Sequence, residues 1–410
     1  MAVESFQHSP SRIADFLIVG AGIVGLTLAF ELRQQYKDAR ILILEKERGL
    51  GLHASGRNSG VLHAGIYYPE GTLKAQICRD GAEILFQFCE KRKLPMRRIG
   101  KIIVPLQKGD DAQLDLLFAR ANQNGVTMQY LDQQALKSLE PDAQSATGRA
   151  LWSPTTGSFE PKAILNHLYE ELVASGVEIY FNEQVEHVDP TSGSVKTQQQ
   201  RFYFGHLFNT AGLHADRIAQ ACGVGERYGV LPFKGLYYRL DPQSGLDIRH
   251  HIYPVPDLNM PFLGVHFTRS HAGEIFLGPT AIPAFGRENY RGLQGIAWPE
   301  TLTIFRNLID LYMANPLNFR QYSHTECLRF FKPLFVKAAQ ALAPKLQERH
   351  LLPCEKVGIR PQLFDRQDRS LVMDFVVVSG ERSTHILNAI SPAFTCSFAF
   401  AKFVLQKYSE

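Results

Sequence analysis

Three glycines and one carboxylate mark the first place where this chain could do chemistry. Gly20-Ala-Gly22-Ile-Val-Gly25 follows the apolar run Phe16-Leu-Ile-Val19 and precedes Leu26 to Gln35, with Leu26, Ala29, Phe30 and Leu32 on one side. Gly20 permits a tight turn, Gly22 lets a pyrophosphate approach the backbone, and Gly25 lets helix and strand pack closely. The helix N-terminus then turns N–H donors and partial positive charge toward the phosphates. A second run, Ile41-Leu-Ile-Leu44, ends in Glu45, placed 20 residues after Gly25. A carboxylate there accepts hydrogen bonds from both hydroxyls of a ribose. The bland alternative is a glycine-rich turn that binds nothing. The order strand, turn, helix, strand, acid argues against it.

A nicotinamide or a flavin dinucleotide would fit that turn, and two later segments favour FAD. The loop His53-Ala-Ser-Gly-Arg-Asn-Ser-Gly-Val-Leu-His63 alternates glycines with short polar side chains, so backbone N–H groups can reach a flat ring. Asn209-Thr-Ala-Gly212 ends an extended segment in small residues that can close over adenosine diphosphate. The expected cofactor contacts are Gly20, Gly22, Ile23, Gly25, Glu45 and Lys46 in the first unit. Ser55, Arg57, Asn58, Ser59, Gly60 and Val61 join them from the loop, and Val185, Ala211, Gly212, Ser391 and Pro392 from later segments.

The elements that must hold these groups alternate between two kinds. Asn166 to Ala174 reads as helix, and Val177 to Phe181 and Phe202 to Phe208 as strands. From Leu231 to Phe285 aromatic and polar residues alternate among prolines, as in antiparallel strands joined by turns. Leu302 to Met313 returns to helix. Leu371 to Val378 and His385 to Asn388 read as strands, and a last helix starts at about Pro392. The expected fold class is α/β, a Rossmann-like FAD-binding domain with a second, mainly antiparallel β-sheet substrate domain, of the glutathione-reductase/D-amino-acid-oxidase type. The expected FAD-binding domain is discontinuous, over 12–90, 148–225 and 352–410, with 91–147 and 226–351 forming the substrate domain and a cleft between them.

Bulk composition bounds the partners. The 410 residues carry a net charge of +4, too little to argue for nucleic acid. Most of the local excess is Lys91, Arg92, Lys93, Arg97, Arg98 and Lys101, which reads as a solvated helix end and loop. A sharper reading is contact with an anionic membrane surface, where each cation gains about 1 kcal/mol. Cys78, Cys89, Cys222, Cys327, Cys354 and Cys396 form no C-x-x-C pair, so no metal or dithiol centre is expected. They fit reduced thiols in a cytoplasmic protein. The first residues lack the apolar core of a signal peptide. Ile386 to Ala401, interrupted by Asn388, Ser391 and Pro392, falls short of the roughly 20 apolar residues of a membrane span.

The blocks Gly56-Arg-Asn-Ser-Gly-Val-Leu-His-Ala-Gly-Ile-Tyr-Tyr68 and Gly71-Thr-Leu-Lys-Ala75 resemble the L-2-hydroxyglutarate dehydrogenase/oxidase family, among the D-amino-acid-oxidase-like flavoproteins. The resemblance continues through Phe233-Lys-Gly-Leu-Tyr-Tyr238, Ile252-Tyr-Pro-Val-Pro-Asp257, Pro261-Phe-Leu-Gly-Val-His-Phe-Thr268 and Gly278-Pro-Thr280. It ends with Gly358-Ile-Arg-Pro-Gln362 and Asn388-Ala-Ile-Ser-Pro-Ala393. Pro361, Phe394 and Cys396 depart from the pattern, the last two by making the final turn bulkier. The resemblance implies oxidation of L-2-hydroxyglutarate to 2-oxoglutarate, with a hydride passing from C2 to flavin N5. It also implies an electron acceptor, a respiratory quinone or oxygen, and it favours the respiratory one with peripheral attachment at the inner face of a membrane.

That reaction needs a base within about 3 Å of the hydroxyl and anion sites for two carboxylates. His63 and His266 lie inside the resembling blocks and are the candidates for the base, with a slight lean to His266. His8, His187 and His324 are assigned to surface or structure. Arg360 is the leading carboxylate ligand, because a guanidinium binds a carboxylate through two parallel N–H bonds. Lys234, Tyr237 and Tyr68 are secondary choices, and Lys74 is assigned to a structural ion pair. The competing functions are a flavin enzyme of the same fold acting on another small hydroxy acid, glycerol 3-phosphate or an amino acid, and a non-catalytic or RNA-modifying flavoprotein. Glycerol-phosphate enzymes typically carry Leu-Arg-Tyr where this chain has Ile66-Tyr67-Tyr68, and the missing arginine removes a phosphate-binding charge.

Overall fold

The first apolar run is buried on both faces, and it becomes the centre of a parallel sheet. In the computed structural model, which describes residues 12–389 and 391–409, strand Ile13–Val19 lies between Arg201–Asn209 and Ile41–Leu44. His8 lies outside the described residues. Parallel pairing continues to Glu178–Tyr180 on one side and Ser383–Asn388 on the other. Continuous Val/Ile/Leu runs suit such strands, because helices cover both faces of a parallel sheet. Helix Ile23–Gln35 packs between this sheet and helix Ala393–Ser409, and Ile23, Leu26, Leu28, Ala29 and Leu32 are all buried. The second half of helix Pro161–Ala174 and the strand at 177–181 fall where the sequence places them, each within a few residues of the expected ends.

The second sheet is mainly antiparallel, ten-stranded among the described residues, and contains one parallel pair, Lys101–Val104 against His251–Pro254. Its longest ladder joins Tyr228–Leu240 to Leu351–Asp365. This sheet crosses the domain limits expected from sequence. Ala150–Ser153 pairs with Lys101–Val104, and Leu351–Asp365 is the partner of the central strand, although 148–225 and 352–410 were assigned to the FAD-binding part. Edge pairings are set by register with distant strands, which local patterning does not reveal. The single strand expected over Leu371 to Val378 is two short ones, Ser370–Leu371 and Val376–Gly380, in different sheets. A third sheet has three strands, with Gly157–Phe159 between Val61–Leu62 and Met96–Arg98.

Helices Trp298–Ala314, Phe319–Leu328 and Lys332–Gln340 lie in sequence between Ile282–Pro283 and Leu351–Asp365, two strands of the second sheet. No helix of the described residues is long and apolar enough to cross a membrane. The basic cluster does not form one solvated face. Arg92 pairs with Glu171, Arg98 pairs with Glu83, and Lys101 is fully buried on its strand.

Candidate active site

A cavity of about 680 Å³ runs along the carboxyl ends of the parallel strands and reaches the second sheet. The glycine turn forms one part of its wall. Gly20 has φ +105, and a Cβ there would stand 2.7 Å from the Thr210 carbonyl oxygen. A Cβ on Gly25 would come within 2.0 Å of the Gly20 carbonyl oxygen and 2.8 Å of Thr210 Oγ1. Gly25 therefore acts by packing and does not itself line the cavity. Gly60, also outside the wall, has φ +71 and would place a Cβ 2.6 Å from the Phe159 carbonyl oxygen. It sets the turn into Val61–Leu62.

Glu45 fixes this turn from the end of the second strand. Its carboxylate accepts from the Ala21 N–H at 2.9 Å and the Glu47 N–H at 3.0 Å. Ser55 Oγ accepts from the Ile23 N–H at 3.0 Å, which ties the polar loop to the first turn of the helix. Gly20, Gly22, Ile23, Glu45, Lys46, Ser55, Arg57, Asn58, Ser59, Val61, Val185, Ala211, Gly212, Ser391 and Pro392 all line the cavity. A glycine cradle that admits no Cβ, a helix N-terminus and a strand-end carboxylate together fit the pyrophosphate and ribose of FAD.

Part of the wall is closed by charge. Lys46 Nζ lies 2.5 Å from Glu47 and 2.6 Å from Glu288, and His214 and His53 complete the cluster at 2.8 Å from Glu288 and Glu47. The His214 contact, working against burial and helped by Lys46, holds the Glu288 carboxyl down to about 2. Glu47, His53 and Glu288 converge closely enough to suggest a cation site, but the Lys46 ammonium already stands against both carboxylates. Arg287 is buried against Asp216 and Glu300, so the 284–300 segment is clamped to the dinucleotide side.

At the other end the cavity is lined by His63, Phe159, Tyr237 and Arg360, together with the first residues of the last helix, Ala393 to Thr395. Phe394 packs against Phe159 with ring centroids 4.7 Å apart, whereas Cys396 is buried and faces Gly81 of helix Leu73–Lys91. The His63 N–H donates to Thr395 Oγ1 at 3.2 Å, and that hydroxyl reaches the Val61 carbonyl. His63 is thus anchored to the helix whose positive end borders the cavity. Burial, and then the positive charges of Lys101, His251, His266 and Arg360, hold the His63 imidazole well below its ordinary pKa. It is neutral at neutral pH and can accept a proton.

The two histidines expected as bases are therefore not equivalent. His266 is buried, its ring stacks on Tyr253 at 3.8 Å, and its Nδ1 lies 2.8 Å from the Gly264 carbonyl oxygen. It does not line the cavity. Burial, opposed by the Gly264 contact, brings its pKa down to about 3. His63 replaces it as the candidate, because it alone of the pair reaches the open space.

The carboxylate candidates divide in the same way. Arg360 lines the cavity, its guanidinium lies 5.5 Å from the Phe262 ring, and among the described residues no carboxylate is in ion-pair contact with it. Tyr237 lines the same wall, and burial pushes its phenol up to about 12. Lys234 points away and donates to Asn289 Oδ1 at 2.9 Å. Tyr68 does not line the cavity and lies beneath the Lys74 ammonium at 5.6 Å. Lys74 donates to the Met373 carbonyl at 2.6 Å, in place of the expected ion pair. Two residues of this wall, Phe159 and Thr395, are not among the sequence expectations.

Comparisons with known proteins bear on the family and the fold. The model of the family described as FAD dependent oxidoreductase matches residues 15–406. An L-2-hydroxyglutarate dehydrogenase of Escherichia coli is 33% identical over 401 residues, covering 96% of this chain and 92% of that protein. The mitochondrial L-2-hydroxyglutarate dehydrogenase of Nematostella vectensis is 33% identical over 436 aligned residues, covering 100% and 93%. Among solved structures, dithionite-reduced L-alpha-glycerophosphate oxidase from Mycoplasma pneumoniae with FAD bound has a TM-score of 0.77 at 20% identity, covering 97% and 95%. Glycine oxidase from Geobacillus kaustophilus has a TM-score of 0.70 at 16% identity, covering 97% and 94%. At such identities these two structures speak for the fold.

Proposed function

This chain belongs to the FAD-dependent oxidoreductase family, and from that membership we propose that it oxidises L-2-hydroxyglutarate to 2-oxoglutarate. The observation that carries the reading is that a neutral histidine, His63, lines one cavity wall with Arg360, whose guanidinium meets no carboxylate among the described residues. A 2-hydroxy acid needs this pair, one group for the hydroxyl proton and one for the adjacent carboxylate. The names of the full-length relatives support the dicarboxylate over glycerol 3-phosphate or an amino acid. Bound FAD would supply the acceptor for the two electrons leaving C2.

The residues divide the remaining work. Arg360 holds the C1 carboxylate through parallel N–H bonds and so fixes which face of C2 is presented. His63 takes the hydroxyl proton as the C–H bond breaks, and burial keeps its imidazole in the accepting form. The Tyr237 hydroxyl stays protonated and can donate to the substrate. Phe159 and Phe394 give the reacting end apolar walls that exclude water. Turnover with an artificial dye as acceptor tests the reading. L-2-hydroxyglutarate should be consumed with stoichiometric 2-oxoglutarate, while preferred turnover of glycerol 3-phosphate or a D-amino acid would replace this substrate assignment.

For the second half-reaction the reading takes a quinone in a membrane over oxygen as the acceptor, with the protein attached peripherally from the cytoplasmic side. Helix Trp298–Ala314 supports it. Trp298, Leu302, Phe305, Ile309 and Met313 fall on one stripe and are exposed, while Ile304, Asn307 and Leu311 on the opposite side are buried. Leu328, Phe330, Phe331 and Leu334, later in the chain, are exposed as well, as are Arg306 on the same helix and Lys337. An apolar stripe flanked by cations suits the interface of an anionic bilayer.

A further inference from the structure

Between strand Ile282–Pro283 and helix Trp298–Ala314 the chain makes a loop, 284–297, that contains no helix or strand. Two glycines let its neck close. A Cβ on Gly286 would stand 2.1 Å from the Gly295 carbonyl oxygen, and Gly295, at φ +75, would place one 2.5 Å from that of Glu288. Inside the loop the Asn289 amide donates to the Gly292 and Gln294 carbonyls at 2.7 and 2.8 Å. Lys234, expected from sequence to bind substrate, donates instead to Asn289 Oδ1 and ties the loop to the long ladder of the second sheet. Ends that meet and an interior bonded to itself mark an Ω-loop, a compact unit that often carries function.

This loop reaches both banks of the dinucleotide cavity. On one bank Glu288 meets Lys46 Nζ at 2.6 Å. There too the Tyr290 hydroxyl lies 2.8 Å from His53 Nδ1, with the Arg57 guanidinium 4.2 Å from its ring centre. On the other bank Glu288 meets His214 Nε2 at 2.8 Å, and Arg287 is bonded to Asp216 and to the Leu213 carbonyl oxygen. Lys46, His53 and Arg57 follow the strand that ends at Glu45, whereas Leu213 and His214 follow the Asn209–Gly212 turn, and all five line the cavity. A segment bonded to both sides of one cavity lies across it. Arg287, Glu288, Gly295, Ile296 and Ala297 line that cavity themselves, while Leu293 is 85% exposed. The loop therefore stands between the cavity and solvent, and every bond that holds it there is made to the protein.

We propose that loop 284–297 is a clasp over the FAD site, locked by Glu288 between Lys46 and His214, which must part from one bank before the dinucleotide enters or leaves. Glu288 then governs the rate of cofactor exchange more than the strength of binding. A residue that touches the cofactor slows escape alone. A clasp closed by protein-to-protein bonds slows entry and escape together, so their ratio, the dissociation constant, hardly moves.

The test uses the FAD-loaded enzyme and needs no substrate. Exchange of bound FAD for an excess of 8-chloro-FAD, followed by absorbance, gives the escape rate. Fluorescence of flavin released on serial dilution gives the dissociation constant, and the two together give the entry rate. In Glu288→Gln exchange should quicken by about tenfold, as when a charge-assisted hydrogen bond is lost. The dissociation constant should move by less than about threefold. Tyr290→Phe, a milder change that removes only the His53 bond, should quicken exchange by a few-fold. Salt should speed exchange in the wild type and do so less in Glu288→Gln, because screening loosens the same ion pairs. Exchange unchanged in both variants would overturn the clasp. So would a faster exchange matched by an equal rise in the dissociation constant, which would make Glu288 a direct contact of the cofactor.

Discussion

Tyr253 and His266 stack with ring centroids 3.8 Å apart and planes 22° apart, and this stack keeps His266 out of the cavity that His63 lines. His63→Asn should therefore lower kcat by about 10²- to 10⁴-fold, the usual contribution of a positioned base. His266→Asn should change kcat by less than about tenfold and should show itself mainly in thermal stability. Steady-state rates at equal flavin content compare the two. A larger kinetic loss in the His266 variant would reverse the assignment.

Among the described residues, Arg360 lines the reacting end with its guanidinium in contact with no carboxylate. Arg360→Ala should raise KM about 10- to 100-fold, with kcat changed less, because binding shared by ground and transition states is lost. Arg360→Lys should recover part of it, since a point charge replaces a two-pronged donor. Flavin content should be unchanged in both. A silent Arg360→Ala would move the C1 carboxylate elsewhere.

Glu45 holds the glycine turn and faces the cavity. Glu45→Gln should weaken FAD binding by about tenfold, through loss of a charged acceptor. Fluorescence of released flavin on dilution measures it, independently of any substrate. An unchanged dissociation constant would remove Glu45 from the cofactor site.

Two buried histidines give the fold an acid limit. His251 and His266 are each held down to about 3 from the usual 6.5, chiefly by burial. Unfolded, each imidazole takes up a proton near its usual pKa, while the folded protein does so only near 3. Stability attributable to them is complete above pH 6.5 and is lost as pH falls from there toward 3, at up to about 1.4 kcal/mol per pH unit for each group. Denaturant melts from pH 7 to 4.5 on the wild type and on a His251→Gln variant would show it. Equal slopes would remove His251 from the acid limit.

The dinucleotide half of this site was legible because its chemistry is local. Gly20, Gly22, Gly25 and Glu45 act through one turn and two strand ends, so spacing alone carries their roles. Arg360 and His63 came from blocks of resemblance, and both line the cavity. Lys234 and Tyr68 were lost to facing. Lys234 is on the opposite side of its strand from Gly235 and Tyr237, and one residue of register decides which side meets the cavity. Nothing local shows that Lys101 is buried. In sequence it closes a run of cations that reads as solvated surface, and its burial depends on Tyr253, about 150 positions away, reached only through the one parallel pairing in the second sheet.

The most direct measurement is an anaerobic titration of the yellow holoenzyme, followed at the flavin absorption band. L-2-hydroxyglutarate should bleach it to completion with one equivalent per flavin, while D-2-hydroxyglutarate, glycerol 3-phosphate and D-amino acids should leave it oxidised. Bleaching by another of these compounds and not by L-2-hydroxyglutarate would contradict the account at its centre.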